Sequence, residues 1–247
     1  MSNNNQKIDE TNHDMAFKFF LQNIKENFGS IISELFFAIS GFSLVCSNCK
    51  ETKYYFHDYF FLNFPLEEVR KFKKQKLTYS NNQNMMSKNP NKFQQNQFDD
   101  INSVNLDDCF QYYEKTQFLT GENAVYCSKC DKAYSANYTS KLYYGPEILI
   151  IILNRGRGLL YFVDLEFTEK IDFSKYFQMK NLGNVYNLIG VEIYLNGGGG
   201  HFISYGKNPI DGLWHEYNDT VVFKISDIKH QVDFNVMPYI LFYQKEK

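Results

Sequence analysis

Four glycines, Gly197 to Gly200, run directly into His201-Phe202-Ile203-Ser204-Tyr205, and a second stretch, Trp214-His215-Glu216-Tyr217, ends in Asn218 and Asp219. An imidazole can take a proton from a thiol when a neighbouring amide or carboxylate holds its ring, which is what a cysteine hydrolase requires of its base. His201 with Asn218, or with Asp219, supplies the second and third members of such a set. The glycines permit positive φ and let a slender substrate approach the backbone closely. Two plainer readings stand beside this one: a flexible glycine hairpin, and a histidine that is merely packed or exposed beside a strand. A rival use of the glycines, cradling phosphate, lacks the following Lys-Ser/Thr of a P-loop. The nucleophile is the missing piece, because none of the cysteines stands in a place suited to that role.

The flanks predict how these groups meet. Val185 to Tyr194 (VYNLIGVEIY) is apolar, β-branched and aromatic, and reads as a strand entering the glycines. Phe202 to Tyr205 reads as the strand leaving them. Asp211-Gly212 marks a turn before a third strand through Trp214 and Tyr217, which would bring Asn218 beside His201.

Four of the five cysteines form two Cys-x-x-Cys pairs, Cys46/Cys49 and Cys127/Cys130. Two such knuckles make the four-thiolate tetrahedron that Zn²⁺ prefers. Their separation far exceeds the usual spacing of about 15 to 20 residues, so they must sit on elements distant in sequence with an insertion between them. Unmetallated thiols and a redox pair are the competing readings, the latter without thioredoxin-like context. Cys109, in LDDCF, reads as an apolar thiol on the buried face of a helix.

Along the 247 residues, 14 polar residues open the chain and are expected to be disordered. Helical spacing predicts one helix over Ala16 to Asn27 and another over Ser30 to Ala38, with Ser30 as a cap. Two strands joined through the first knuckle follow, ending at Pro65. Residues 67–102, rich in Lys, Asn, Gln and Ser, read as an exposed disordered insertion. Asn105 caps a helix to Thr116, Ala133 to Leu142 is a strand, and EILIIILNR after Pro146 is a central strand apolar on both faces. Leu159 to Phe167 and PYILFYQK are further strands. A net charge of −2 gives no electrostatic case for nucleic acid or an anionic membrane. No apolar run reaches the roughly 18 to 20 residues of a membrane span, and the start lacks the basic-then-apolar pattern of a signal peptide. A soluble chain of the cytoplasm or nucleus, monomeric, is expected.

An ordered series of segments resembles the ubiquitin-specific proteases, deubiquitinating cysteine peptidases of the papain-like superfamily. The series is a helix then VCSNC continuing to FLNFPL, NLDDCFQYY with YCSKC, PEILIIILNR, VYNLIGVEIYLNGGGGHFISY, GLWHEYNDTVV and PYILFYQK. The resemblance implies an α+β, hand-like fold: a partial helical thumb, zinc-ribbon fingers over 42–66 and 117–142, and a β-sheet palm over 143–245. It implies that Cys46, Cys49, Cys127 and Cys130 hold a structural zinc and that His201 is the base. Asn218 would orient it, Asp219 would be a second acidic position, and ubiquitin or ubiquitinated proteins would be partners. The family's nucleophile sits in a Gly-Asn-Thr-Cys-Tyr-like box of which nothing occurs here, so residues 15–245 read as a truncated domain, inactive as given. A ubiquitin-binding pseudo-peptidase and a zinc-ribbon interaction scaffold are the alternatives.

Overall fold

The computed structural model describes residues 9–27, 29–86, 102–156, 162–180, 183–195, 200–228 and 236–246. The chain opens with helices α1 (His13–Asn27) and α2 (Ile31–Phe36). Strands β1 (Ala38–Cys46), β2 (Thr52–Tyr59) and β3 (Leu62–Pro65) lead into the long helix α3 (Leu66–Met86). Then come β4 (Ser103–Asn105), α4 (Leu106–Tyr113), β5 (Gln117–Leu119), β6 (Val125–Cys127), β7 (Lys132–Tyr134) and β8 (Ala136–Tyr144). The remainder is strands: β9 (Ile148–Asn154), β10 (Asp164–Glu166), β11 (Lys170–Asp172), β12 (Val185–Leu195), β13 (His201–Lys207), β14 (Trp214–Asn218), β15 (Val221–Ile225) and β16 (Val236–Lys245). The fold is α+β, as expected. Among the described residues no helix is long and apolar enough to cross a membrane.

Two sheets organise these strands. The first has the order β2-β1-β8-β5. The second runs β15-β14-β13-β12-β16-β9-β3, with β11 also paired to β12. Its strands are β-branched and aromatic on alternate positions, so one face can dehydrate while the other does not. Leu149, Ile151 and Leu153 of β9, Val191 and Ile193 of β12, and Leu241 and Tyr243 of β16 are all buried on that face. Against them α4 and the segment after β11 supply Leu106, Cys109, Phe110, Phe173 and Phe177. Phe110 lies between Phe173 and Tyr176, with ring centroids 4.8 and 4.7 Å away.

Several sequence expectations shift. Residues 9–14, part of the stretch expected to be disordered, are structured: Asn12 Oδ1 accepts the Asp14 and Met15 N–H groups and α1 begins at His13, while residues 1–8 lie outside the described residues. Glu10 ties that segment to β2, its carbonyl accepting from Tyr54 N–H at 2.8 Å and its carboxylate from Lys53 and Tyr55. The polar stretch expected to be disordered is α3 as far as Met86; residues 87–101 of that expectation lie outside the described residues. Few apolar anchors suffice there because Leu66 and Val69 of its first turn are completely buried. Glu67 pairs in two hydrogen bonds with Arg70, and Lys73 reaches Asp108 of α4 at 2.9 Å.

The second helix stops at Phe36, capped by Ser30 as foreseen, and Ala38 already belongs to β1. β3, expected in the fingers, pairs parallel to β9 in the palm sheet. β9 therefore lies one strand from an edge, and its Ile148, Ile150 and Ile152 are only half-buried. The strand expected over 133–142 breaks between β7 and β8. Of the strand expected over 159–167, residues 159–161 lie outside the described residues, and β10 pairs with β4 away from the main sheet.

The capping box of α4 is reciprocal: Asn105 Oδ1 accepts from Asp108 N–H at 2.9 Å, and Asp108 Oδ2 from Asn105 N–H at 3.0 Å. Asn105→Ala should cost about 1 kcal/mol, and so lower the melting temperature by about 2–4 °C, while Asn105→Asp should be near neutral. An unchanged melting temperature for the alanine variant would remove this cap from the account of α4.

Candidate active site and metal centre

The ladder of β12, β13 and β14 positions the histidine. Leu195 pairs with His201, Ile193 with Ile203 and Ser204 with Tyr217. One step further along that register Asn218 faces Ile203, two residues from His201 on the same side of the sheet. Buried Ile203 and Tyr205, and Trp214 opposite them, fix that side as the core face, so a slip by one residue would turn both polar groups away. Tyr205 OH donates to Glu216 Oε2 at 3.2 Å and locks the two strands further on. Burial, with Glu216 beside it, pushes the Tyr205 phenol up to about 12.

His201 Nε2 lies 2.8 Å from Asn218 Oδ1. Because an amide oxygen only accepts, Nε2 carries the proton and Nδ1 keeps its lone pair. Asp219 Oδ2 is 3.9 Å from the same Nε2 on a side chain 78% exposed, at the turn between β14 and β15 with φ of +51°. The ring's hydrogen-bond partner is therefore Asn218, with Asp219 adjacent rather than hydrogen-bonded. Gly197 to Gly199 lie outside the described residues. Gly200 has φ of +75°, and a Cβ there would run into the Tyr194 hydroxyl, so this glycine is needed for close approach.

The two cysteine knuckles meet because β1 and β8 are antiparallel neighbours that end together: Cys46 pairs with Ala136, and Ser47 N–H donates to Ser135 carbonyl at 2.9 Å. The four Sγ atoms of Cys46, Cys49, Cys127 and Cys130 lie within 4.8 Å of one another, with Cys49 and Cys127 at 3.6 Å. A tetrahedral zinc with Zn–S of about 2.3 Å places its sulfurs about 3.8 Å apart, so the cluster fits such an ion. Asn48 Nδ2 donates to Cys130 Sγ at 3.3 Å. The backbone N–H of Cys49, with that of Asn48, lowers the Cys46 thiol to about 7. Lys50 and Asp131, each just after a knuckle, share left-handed backbone with φ of +60° and +53°. Their position after the second cysteine was the signal available in the sequence. A cavity of about 30 Å³ walled by Leu44, Tyr55 and Tyr134 borders this cluster, not the histidine.

Cys109 is fully buried among core residues, and burial pushes its thiol well above the usual range. It is not brought to His201 by any described contact. Arg155, which the sequence reading passed over as the end of a strand, is 2% exposed. Its Nη1 donates to Val163 carbonyl at 2.6 Å, and Nε and Nη2 donate to Pro238 carbonyl at 3.2 and 3.1 Å. Pro238 faces Ile193 of β12, so this guanidinium braces the strand that precedes the glycines.

The imidazole geometry is checkable without activity. Nitrogen chemical shifts of the His201 ring should report the Nε2–H tautomer, and Asn218→Ala should shift the ring to a mixture of tautomers with little change in melting temperature. A tautomer mixture already present in the unaltered chain would remove Asn218 as the orienting group.

Known proteins bear on the whole chain. The sequence profile described as Ubiquitin carboxyl-terminal hydrolase matches residues 2–243. Ubiquitin carboxyl-terminal hydrolase 12 of Saccharomyces cerevisiae is 29% identical over 155 residues, covering 57% of this chain and 12% of that protein. Ubiquitin carboxyl-terminal hydrolase 15 of Rattus norvegicus is 30% identical over 152 residues, 58% of this chain and 16% of the relative. A solved chain from yeast SAGA DUBm with a mutant Sgf73 superposes with a TM-score of 0.64 at 19% identity, covering 93% of this chain and 45% of that one. The chain thus spans a small fraction of its curated relatives, and its overall fold is that of the yeast structure. A profile match over nearly the full length, with a four-sulfur cluster on one sheet and a His–Asn pair on the other, means that this chain belongs to the ubiquitin carboxyl-terminal hydrolase family.

Proposed function

We propose that the chain binds ubiquitin and supplies the base and the orienting amide for thiol-dependent hydrolysis of bonds to its C-terminus, with the nucleophilic thiol not among its own residues. The observation that carries this is the 2.8 Å contact of His201 Nε2 with Asn218 Oδ1. It leaves Nδ1 as the nitrogen that takes the proton of an incoming thiol. The thiolate then attacks the carbonyl carbon at the ubiquitin C-terminus, and His201 returns the proton to the departing amine. Water, deprotonated by the same nitrogen, cleaves the thioester and regenerates the thiol. Asn218 is neutral, so it fixes the ring's orientation but stabilises an imidazolium less than a carboxylate would.

The metal reading goes with this. Cys46, Cys49, Cys127 and Cys130 would hold one Zn²⁺ as a closed structural site, which contributes folding energy and takes no part in hydrolysis. A second reading, a ubiquitin-binding module that cannot cut, is favoured by the burial of Cys109, the one cysteine outside the cluster. A zinc-ribbon scaffold unrelated to ubiquitin falls with the family match.

Purified protein should contain about one zinc per chain by elemental analysis. Cys46→Ser or Cys127→Ser should lose it along with order in the first sheet, and Cys109→Ser should keep it. Well-folded protein without zinc would defeat the metal reading.

Incubated with ubiquitin bearing a thiol-reactive C-terminus, the chain should bind but form no covalent adduct, since a His–Asn pair does not replace the nucleophile. Supplying a polypeptide with the family's cysteine box in trans should allow turnover that His201→Ala abolishes, whereas the non-cutting reading expects none. An adduct on Cys109 that requires His201 would overturn the assignment of the thiol.

A further inference from the structure

β15 is an edge strand: among the described residues it pairs with β14 alone. Edge strands in soluble proteins are normally blunted by charge, proline or a bulge, because their free N–H and C=O groups invite another strand. This one reads Val221-Val222-Phe223-Lys224-Ile225, with Val221 43%, Val222 54% and Phe223 56% exposed. Fraying does not account for this exposure. Ile225 is buried opposite Trp214, Ile228 is buried just beyond, and all five residues of β15 are in register with β14.

That register decides which side chains face the site. Asn218 pairs with Val221 and Glu216 with Phe223, so Val221 and Phe223 stand on the same side of the sheet as Asn218 and His201. Val222 and Lys224 point to the other side, with Tyr217. The exposed apolar pair therefore begins one strand away from the group that orients the imidazole and continues along an open edge.

We infer that the edge of β15 receives the leaving-group polypeptide, the segment carrying the lysine to which ubiquitin is joined, as an added strand with one apolar side chain seated between Val221 and Phe223. The inference rests on the function proposed above and names the part of the substrate that this side of the site takes. Its physical basis is continuity with the reacting centre. The nitrogen that protonates the departing amine belongs to His201, so the polypeptide bearing that amine must pass beside His201 and Asn218. The neighbouring surface there offers backbone groups that are unpaired among the described residues, for affinity, and two apolar positions at strand spacing, for selectivity. The substrate class is an extended segment with an apolar residue two positions from the modified lysine.

The test uses the zinc-loaded full chain, which needs no nucleophile for binding. Affinities are measured for free ubiquitin and for ubiquitin joined through its C-terminus to the lysine of a short peptide with that apolar residue. The native chain should bind the conjugate roughly tenfold more tightly than ubiquitin. Phe223→Ser should abolish that preference while leaving free-ubiquitin affinity and melting temperature unchanged, and Phe223→Tyr should retain it. Equal affinity of the native chain for the two ligands overturns the inference while the proposed function stands. Equal weakening of both ligands by Phe223→Ser also overturns it, assigning the surface to the body of ubiquitin. Self-association that Phe223→Ser abolishes overturns it in favour of a second copy of this chain. A native chain that binds neither ligand overturns the proposed function and this inference together.

Discussion

The antiparallel ladder that runs from β16 through β12 and β13 to β14 is the constraint on which the rest depends. Its core face is dehydrated by Leu241, Val191, Ile193, Ile203, Tyr205 and Trp214, and dehydrating that face allows only one register. His201 and Asn218 are polar groups placed at the end of this buried row, where the sheet opens. Their contact is a by-product of hydrophobic pairing elsewhere in the same strands. The imidazole is thereby held without a buried charge, and its partner is a neutral amide with no desolvated carboxylate to compensate.

The two sheets divide the work. The first sheet aligns the ends of β1 and β8, and that alignment, with the β6–β7 hairpin that carries Cys127 and Cys130, brings together sulfurs on segments far apart in the chain. The second sheet holds the His–Asn pair. Between them α4 and the aromatic cluster around Phe110 form one continuous core, so neither sheet is an independent unit. Arg155 adds a polar brace within the second sheet. It spends its donors on carbonyls of two returning segments, and desolvation lowers its guanidinium to about 10 while Asp164 partly offsets that. A buried cation satisfied only by carbonyls is specific about geometry, because each carbonyl must stay where the fork points.

Much of this was legible in the sequence because it depends on local pattern. Strand periodicity gave β12, β13, β14 and β16, and Asn105 and Ser30 announced their helices through side chains that compete for backbone N–H groups. The two knuckles and the His201–Asn218 pairing followed from residue type and spacing. What remained hidden depends on tertiary contacts. α3 looks disordered by composition because its anchors, Leu66 and Val69, occupy one turn, and further support comes from tertiary partners such as Ser103 of β4 and Asp108 and Gln111 of α4. β3 reads as a continuation of the fingers, yet its partner is β9, far along the chain. Glu10 and Asn12 were hidden in a polar N-terminal stretch whose role emerges only once β2 lies beside it.

The separation of Cys49 and Cys127, 78 positions apart, also bears on the order in which the molecule assembles. Sulfurs so far apart cannot meet by local fluctuation; β1 and β8 must pair first, after the whole intervening segment has folded back. Capture of a metal by the four sulfurs would therefore come at the end of folding, after the pairing of β1 with β8 has already met the entropy of closing that loop. A chain dominated by such non-local pairings folds slowly. During that interval the knuckles are open thiols, available to oxidants. The nascent protein would then be most sensitive to oxidants, whereas the finished fold has both knuckles locked by the ladders around them.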